Sequence, residues 1–233
     1  MIDRYPRTTH ERERTLARLD PATRTRIEAA ALDLFSEREF HRVKLINIAR
    51  EARISLQTLY KYYGSKEAVL FASLDTWLGD LATRMIDHLQ GIENFEDRLR
   101  KVFWVLFDYF ERNPKVAQII LSSVYLSTWR DDDTFRQPAL MSVFLGVIND
   151  GRERGVLTNE VDEIEISDFI WGVANRMVAM WLLRGRKKPL AEKAPAMFNM
   201  VWRAIASEAV LAEQLSERYA QSAQPREKAS VAG

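Results

Sequence analysis

Apolar residues return every three or four positions along most of the chain, and no stretch alternates in the way a half-buried strand would. The pattern predicts an all-α protein. Asp20 followed by Pro21 is an N-cap with proline at the first helical position. Ile27, Ala30, Ala31, Leu34 and Phe35 then fall on one face, so a first helix runs to about Arg38. A short second helix covers Leu45 to Ala52. A short third follows Ser55 and stops near Tyr63, because Gly64 comes next. Ser65 caps a longer fourth helix with Val69, Leu70, Leu74, Trp77, Leu78, Leu81 and Met85 on its inner stripe.

Beyond Gly91 the apolar faces widen. Phe95, Leu99, Val102, Phe103, Leu106, Phe107 and Phe110 belong to a helix ended by Asn113 and Pro114. Another helix runs to about Tyr125, ahead of an acidic turn at Asp131, Asp132 and Asp133. A helix with Leu140, Val143, Phe144 and Val147 stops between Gly151 and Gly155. Asp162 caps one from Glu163 to Leu183. Pro189 opens a single last long helix through Met197, Met200, Val201, Ile205 and Leu211. This divides the chain into an N-terminal arm at 1–19, a small three-helix unit at 20–66, a larger helical body at 67–221 and a polar tail at 222–233.

The stretch KLINIAREARISLQTLYKYYGSKEAVL, residues 44 to 70, fits a helix-turn-helix. Ala49 is the small residue needed where two steeply crossed helices approach. Ile48, Ala52, Ile54, Leu59 and Tyr62 supply the inner faces. Ser55, Leu56, Gln57, Thr58, Tyr60 and Lys61 then occupy the start and outer face of the second helix, the part that enters the major groove in this motif. Gln pairs with adenine in two bonds, and Thr or Leu can touch a thymine methyl.

Charge sharpens the picture. From Arg42 to Lys66 there are six basic residues and one acid, Glu51, a local charge of +5 in a chain whose formal net charge is +1. A positive patch on a mildly acidic remainder suits a polyanion. Arg4, Arg7, Arg12, Arg14 and Arg18 leave two readings of the leading arm. One is a basic strand tracking DNA. The other is a disordered terminus, which the interleaved Glu11 and Glu13 favour.

Leu34-Phe35, Ile48-Ala49, Thr58-Leu59-Tyr60, Tyr63 and Ser65-Lys66-Glu67 together resemble the DNA-binding domain of the TetR family of transcriptional regulators, over about residues 24 to 70. The resemblance implies a dimer that binds a pseudo-palindromic operator, with a divergent helical domain for an effector and for dimerisation. It implies that Thr58 and Lys61 approach bases or backbone and that Tyr60 and Lys66 bond phosphates. Leu56, Gln57 and Thr58 are the candidates for sequence reading. Two positions depart from the family pattern. Arg53 replaces the usual turn glycine, so either the turn differs or an arginine accepts a left-handed conformation at roughly 1 kcal/mol. Lys44 replaces the usual Thr or Ser cap, losing about 1 kcal/mol and adding a cation beside the DNA.

In the body, Phe103, Trp104, Phe107, Tyr125, Phe144, Trp171, Asn175 and Met180 are candidates for an effector cavity, against the competing reading of a packed core. Asn175 and Arg176 either face inward and need partners or sit on the wet side of their helix. That helix is apolar around much of its circumference. Ile170, Val173, Ala174 and Met177, with Val201 and Ile205 of the last helix, are therefore expected to meet a second copy. Apolar helices and Trp181 resemble fatty-acid-responsive members of the family, which implies an acyl chain or acyl-CoA among hydrophobic effectors.

Composition closes off other classes. With no cysteine and three scattered histidines, neither a disulfide scaffold nor a thiolate or paired-histidine metal site is expected. No cofactor is implied. Neither a secretory signal nor a membrane span is legible, which points to a cytoplasmic protein. No Gly-rich phosphate loop or nucleophile elbow supports an enzyme. A helical interaction protein using the basic patch for another polyanion is the remaining alternative. It explains the charge but not the helix-turn-helix offsets.

Overall fold

The computed structural model describes residues 14–122 and 138–223. Tyr125, the three aspartates at 131–133, and Arg4, Arg7 and Arg12 lie outside the described residues. Among those described there is no strand, and the helices come in chain order as follows. The N-terminal unit has α1 (Pro21–Glu37), α2 (Leu45–Glu51), α3 (Leu56–Tyr62) and the start of α4 (Lys66–Leu89). The body adds α5 (Phe95–Arg112), α6 (Pro114–Ser122), α7 (Pro138–Glu153), α8 (Glu163–Leu183), α9 (Ala194–Ile205) and α10 (Glu208–Ala223).

Capping explains most boundaries. Asp20 accepts from both the Thr23 N–H and its hydroxyl at 2.8 Å, opening α1. Ser65, Asn94 and Asp162 accept from the N–H three residues on and open α4, α5 and α8. Glu165 reaches back to the Asp162 N–H at 3.0 Å, completing a capping box.

Two cores result, and two helices belong to both. The N-terminal core gathers Ile27, Ala31 and Phe35 of α1, Ile48 and Ala49 of α2, Leu59 of α3 and Val69 to Leu74 of α4. Leu78, Leu81 and Met85 continue α4 into the body core, against α5. On α6, Val116 and Ala117 face the body while Ile119 is fully buried in the N-terminal core. Lys115 adds an ion pair from α6 to Asp33 of α1 at 2.6 Å. The residues 14–19, expected to form part of a loose arm, are instead tied down. Leu16 and Leu19 are buried in the N-terminal core, because apolar contacts outweigh the polar composition around them.

The last helix also differs from expectation. Pro189 leads into a 3-10 turn at Ala191–Lys193, and the single long helix is two, broken at Ala206. Neither proline nor glycine breaks it. Ala206 turns extended and pairs with Leu157 in an isolated antiparallel bridge. The Thr158 N–H donates to the Ile205 carbonyl and the Ser207 N–H to the Val156 carbonyl, both at 2.8 Å. Gly151, just before this segment, has the Phe95 ring 2.3 Å from where a Cβ would stand, so only glycine fits there.

Helix α8 buries one stripe, Ile166, Ile170, Ala174 and Val178. Four residues expected at a dimer contact, Ile170, Ala174, Val201 and Ile205, are thus used by the chain's own core and are not available to a second copy. Val173 and Met177 are half-buried. The apolar surface that α8 and α9 do expose consists of Ile164, Phe169, Leu183 and Met200. Arg176 is exposed and Asn175 half-buried, so the arginine sits on the wet side.

Candidate nucleic-acid interface

The turn between α2 and α3 shows how the chain manages without glycine. Arg53 takes φ = 56°, the left-handed region. The Ile54 N–H donates to the Ala49 carbonyl at 2.9 Å and the Arg53 N–H to the Arg50 carbonyl at 3.1 Å, which is a Schellman motif. From α1, Arg26 Nε donates to the Ala52 carbonyl at 3.2 Å and holds the end of α2 in place. Ala49 and Ala52 are buried where the helices close together. These bonds offset the roughly 1 kcal/mol that a side chain costs at positive φ.

Ser55 fixes the start of α3. Its Oγ accepts from the Thr58 N–H at 3.0 Å and pairs with the Thr58 hydroxyl at 2.7 Å. Thr58 is half-buried with its hydroxyl engaged, which leaves its methyl as the freer reading group. Leu59 packs inward. Gln57, Tyr60 and Lys61 are exposed at i, i+3 and i+4, one face of the helix. Tyr60, at 53% exposure, is a large aromatic that the chain itself leaves uncovered. Leu56 is half-buried against the N-terminal core. Ile54 and Tyr62, expected on the inner faces, pack half-buried against the N-terminal core, and Tyr63 is the aromatic buried at the end of α3.

Lys44 and Lys66 differ from the simple expectation of free cations. Lys44 is exposed, and the Asn47 side chain accepts from its N–H at 3.2 Å. A lysine side chain has no acceptor, so only this arm of a capping box exists, and it recovers part of the lost cap. Lys66 donates from Nζ to the Phe40 carbonyl at 2.9 Å and lies over the Phe40 ring at 4.3 Å. It braces the 3-10 turn Phe40–Arg42 against the start of α4, with two of its three N–H groups left for an anion.

Among the described residues, the expected effector residues are not gathered around one cavity. Phe103, Phe107 and Phe144 are buried in close packing, with Phe103 edge-on to Phe107 and Phe198. Trp104 is half-buried beneath Lys101 and beside His88, and Trp171 lies on Phe144. A groove of about 690 Å³ runs elsewhere, between Ser36 and Glu37 of α1, Lys115 and Gln118 of α6, and Leu182 and Leu183 of α8. A second basin, of about 640 Å³, has Met180 in its wall. Sequence reasoning missed the groove because its three walls are far apart in the chain. No local signal in the sequence marks it.

A short helix with an exposed polar and aromatic face, presented by a steep turn beside clustered cations, defines a helix-turn-helix DNA-binding protein. Residues 27–73 match bacterial regulatory proteins of the tetR family, and residues 74–204 match the C-terminal region of YsiA-like proteins. The chain belongs to the TetR family of transcriptional regulators. It is 27% identical over 168 residues to the transcriptional repressor SCO4008 of Streptomyces coelicolor, covering 71% of this chain and 83% of that one. The fatty acid metabolism regulator protein of Bacillus subtilis is 18% identical over 174 residues, 74% and 90% of the two chains. In fold, the chain is similar to the fatty acid degradation regulator FadR of Bacillus halodurans, with TM-score 0.70, 18% identity and coverage of 79% and 96%. It is also similar to FadR of Bacillus subtilis in complex with stearoyl-CoA, with TM-score 0.68, 18% identity and coverage of 76% and 96%. No described helix is long and apolar enough to cross a membrane.

Proposed function

We propose that this regulator represses transcription by seating α3 from each of two copies in successive major grooves of a pseudo-palindromic operator, and that a small hydrophobic effector releases it. The observation that carries the reading is the exposed face of Gln57, Tyr60 and Lys61 on a helix whose cap and turn are fully bonded. Gln57 reads adenine, with Thr58 and Leu56 offering apolar contact to thymine. Lys44, Tyr60, Lys61 and Lys66 hold phosphates and set the register.

A second copy docks on Ile164, Phe169 and Met200, with Val173 and Met177 at the margin. A chain of aliphatic character enters the groove between α1, α6 and α8. None of the described side chains expected at an effector site lines this groove: Met180 is in the wall of the second basin, Trp104, Trp171 and Asn175 are half-buried elsewhere, and Phe103, Phe107 and Phe144 would join a site only by opening the core. Because both units wall the groove, an occupant that fits one domain arrangement better than the other shifts the DNA-bound population. The fatty-acid regulators among the relatives, one of them in complex with stearoyl-CoA, support an acyl effector.

Selection of bound fragments from random duplex DNA at moderate salt tests the reading. An enriched inverted repeat with half-sites about 34–36 Å apart, bound with a steep salt dependence, is the expected result. A folded dimer that enriches no sequence would overturn it.

A further inference from the structure

Helices α8 and α9 pack side by side and run in opposite directions. Glu163 at the start of α8 pairs with Arg152 at 2.6 Å, next to Gly151 and the Phe95 ring, where α5 begins. At the other end of α8, Leu182 and Leu183 line the groove with Ser36 and Glu37 of α1. Helix α9 returns from that end. Glu111, in the last turn of α5, accepts from the Ala191 N–H at 2.9 Å, and the Ile205 carbonyl accepts from the Thr158 N–H at 2.8 Å. Two α3 helices can meet one duplex only when both N-terminal units lie on the same side. The two-fold axis of such a dimer therefore runs from body to N-terminal unit, roughly along α8 and α9. Rotation about it lays α8 of one copy antiparallel on α9 of the other.

The bare face is apolar at Phe169 and Met200 and carries Asp168 and Arg203 at matching places. Asp168 is exposed and has no ion-pair partner among the described residues. It sits on the flank of α8 away from α9, since the opposite flank, with Met177 and Met180, shares a basin with Leu190 and Lys193 just before α9. Arg203 is exposed, and only its Nε is engaged, donating to the Asn199 carbonyl of its own helix at 3.0 Å. It sits on the flank of α9 away from α8, beside Asn199, whose side chain accepts from Arg100 of α5 at 3.5 Å. In the dimer these two outer flanks meet. The heights agree as well. Measured from the helix ends near the Leu157–Ala206 bridge, Asp168 lies about 7.5 Å along α8 and Arg203 about 3 Å along α9, a gap that an arginine side chain spans. Glu165, the neighbouring acid, is committed to the Asp162 N–H at 3.0 Å. The field at the start of α8 favours acids in its first turn and fades before Asp168.

We infer that Asp168 of each copy pairs with Arg203 of the partner subunit, the same bond made twice about the axis, and that this pair selects which chains can dimerise. An apolar face alone accepts any helix pair of the right shape. Opposite charges in register accept a second copy of this chain and repel a related chain with a like charge at either place. The inference rests on the two-copy reading above and names the residues that choose the partner. Sedimentation of the full-length, DNA-free protein tests it on wild type, Asp168→Arg, Arg203→Asp and the double reversal, all at exposed positions, with folding followed by circular dichroism. Either single reversal brings like charges together at both contacts and should weaken the dimer by at least about tenfold. The double reversal should regain most of the wild-type affinity. Mixed together, the two single variants should prefer each other. The new arginine of one then meets the new aspartate of the other, while the untouched Asp168 and Arg203 meet at the second contact. Native mass spectrometry of the mixture should show heterodimer well above the half that random exchange gives.

Single variants that dimerise as wild type does, a double reversal no tighter than the singles, or a mixture at the random level would each overturn the inference. A monomeric wild type would overturn the two-copy reading and the inference together. A wild-type dimer indifferent to both charges would sink the inference alone and leave that reading standing.

Discussion

Arg53 sits where its family keeps glycine, and the sequence left open whether the turn or the residue would yield. The residue yields, at φ = 56°, with the turn's hydrogen bonds intact. Arg53→Gly should therefore leave stability within about 1 kcal/mol of wild type, because relief of strain and the greater freedom of the unfolded chain oppose each other. Arg53→Ile should lose more, since a β-branched side chain is excluded from this region; urea denaturation of the two variants checks both. On α3, Gln57 and Lys61 share an exposed face, and the proposed function gives them different roles. Gln57→Ala should relax preference at one base pair, whereas Lys61→Ala should weaken binding to all sequences alike and reduce the salt slope by about 1. Competition titrations over a panel of half-site variants at several salt concentrations separate the two. The outward face of Gln57, Tyr60 and Lys61 was legible because helical spacing alone sets it. The engagement of Lys66 with Phe40 was not, since a carbonyl 26 positions away leaves no trace beside the lysine.

Between elements, the α1–α6 contact combines a buried isoleucine with an exposed ion pair. Asp33 accepts a hydrogen bond from Lys115 and attracts its charge, which raises the lysine's pKa above its ordinary value. A raised folded-state pKa means that the pair's contribution is fully present below about pH 10.5 and is lost as pH climbs through the folded value. Lys115→Met should therefore melt below wild type at neutral pH, with the gap closing in strongly alkaline buffer, as followed by circular dichroism. Helices α1, α3 and α4 were legible because Asp20, Ser55 and Ser65 announce their starts. The division of α9 from α10 was not, because its cause is a pair of backbone bonds from Val156 and Thr158, some fifty positions earlier. Ser207 followed by Glu208 was the one local hint, a capping serine before an acidic first turn.

At the scale of the whole molecule, periodicity alone did not separate the face of α8 that the chain buries from the face it leaves bare. Ile170 and Ala174 look as apolar as Phe169 in the sequence, and only packing against α5, α6, α7 and α9 tells them apart. Phe169→Glu, on the bare face, should yield a folded monomer by light scattering and abolish tight operator binding. A buried-face change such as Ile170→Glu should instead unfold the chain. Helix α4, 24 residues and about 36 Å long, has its first half in one core and its second half in the other. There is accordingly no loose tether for evolution to lengthen between the N-terminal unit and the helical body. A helix that anchors both cores couples their unfolding, so the two halves should melt in a single transition.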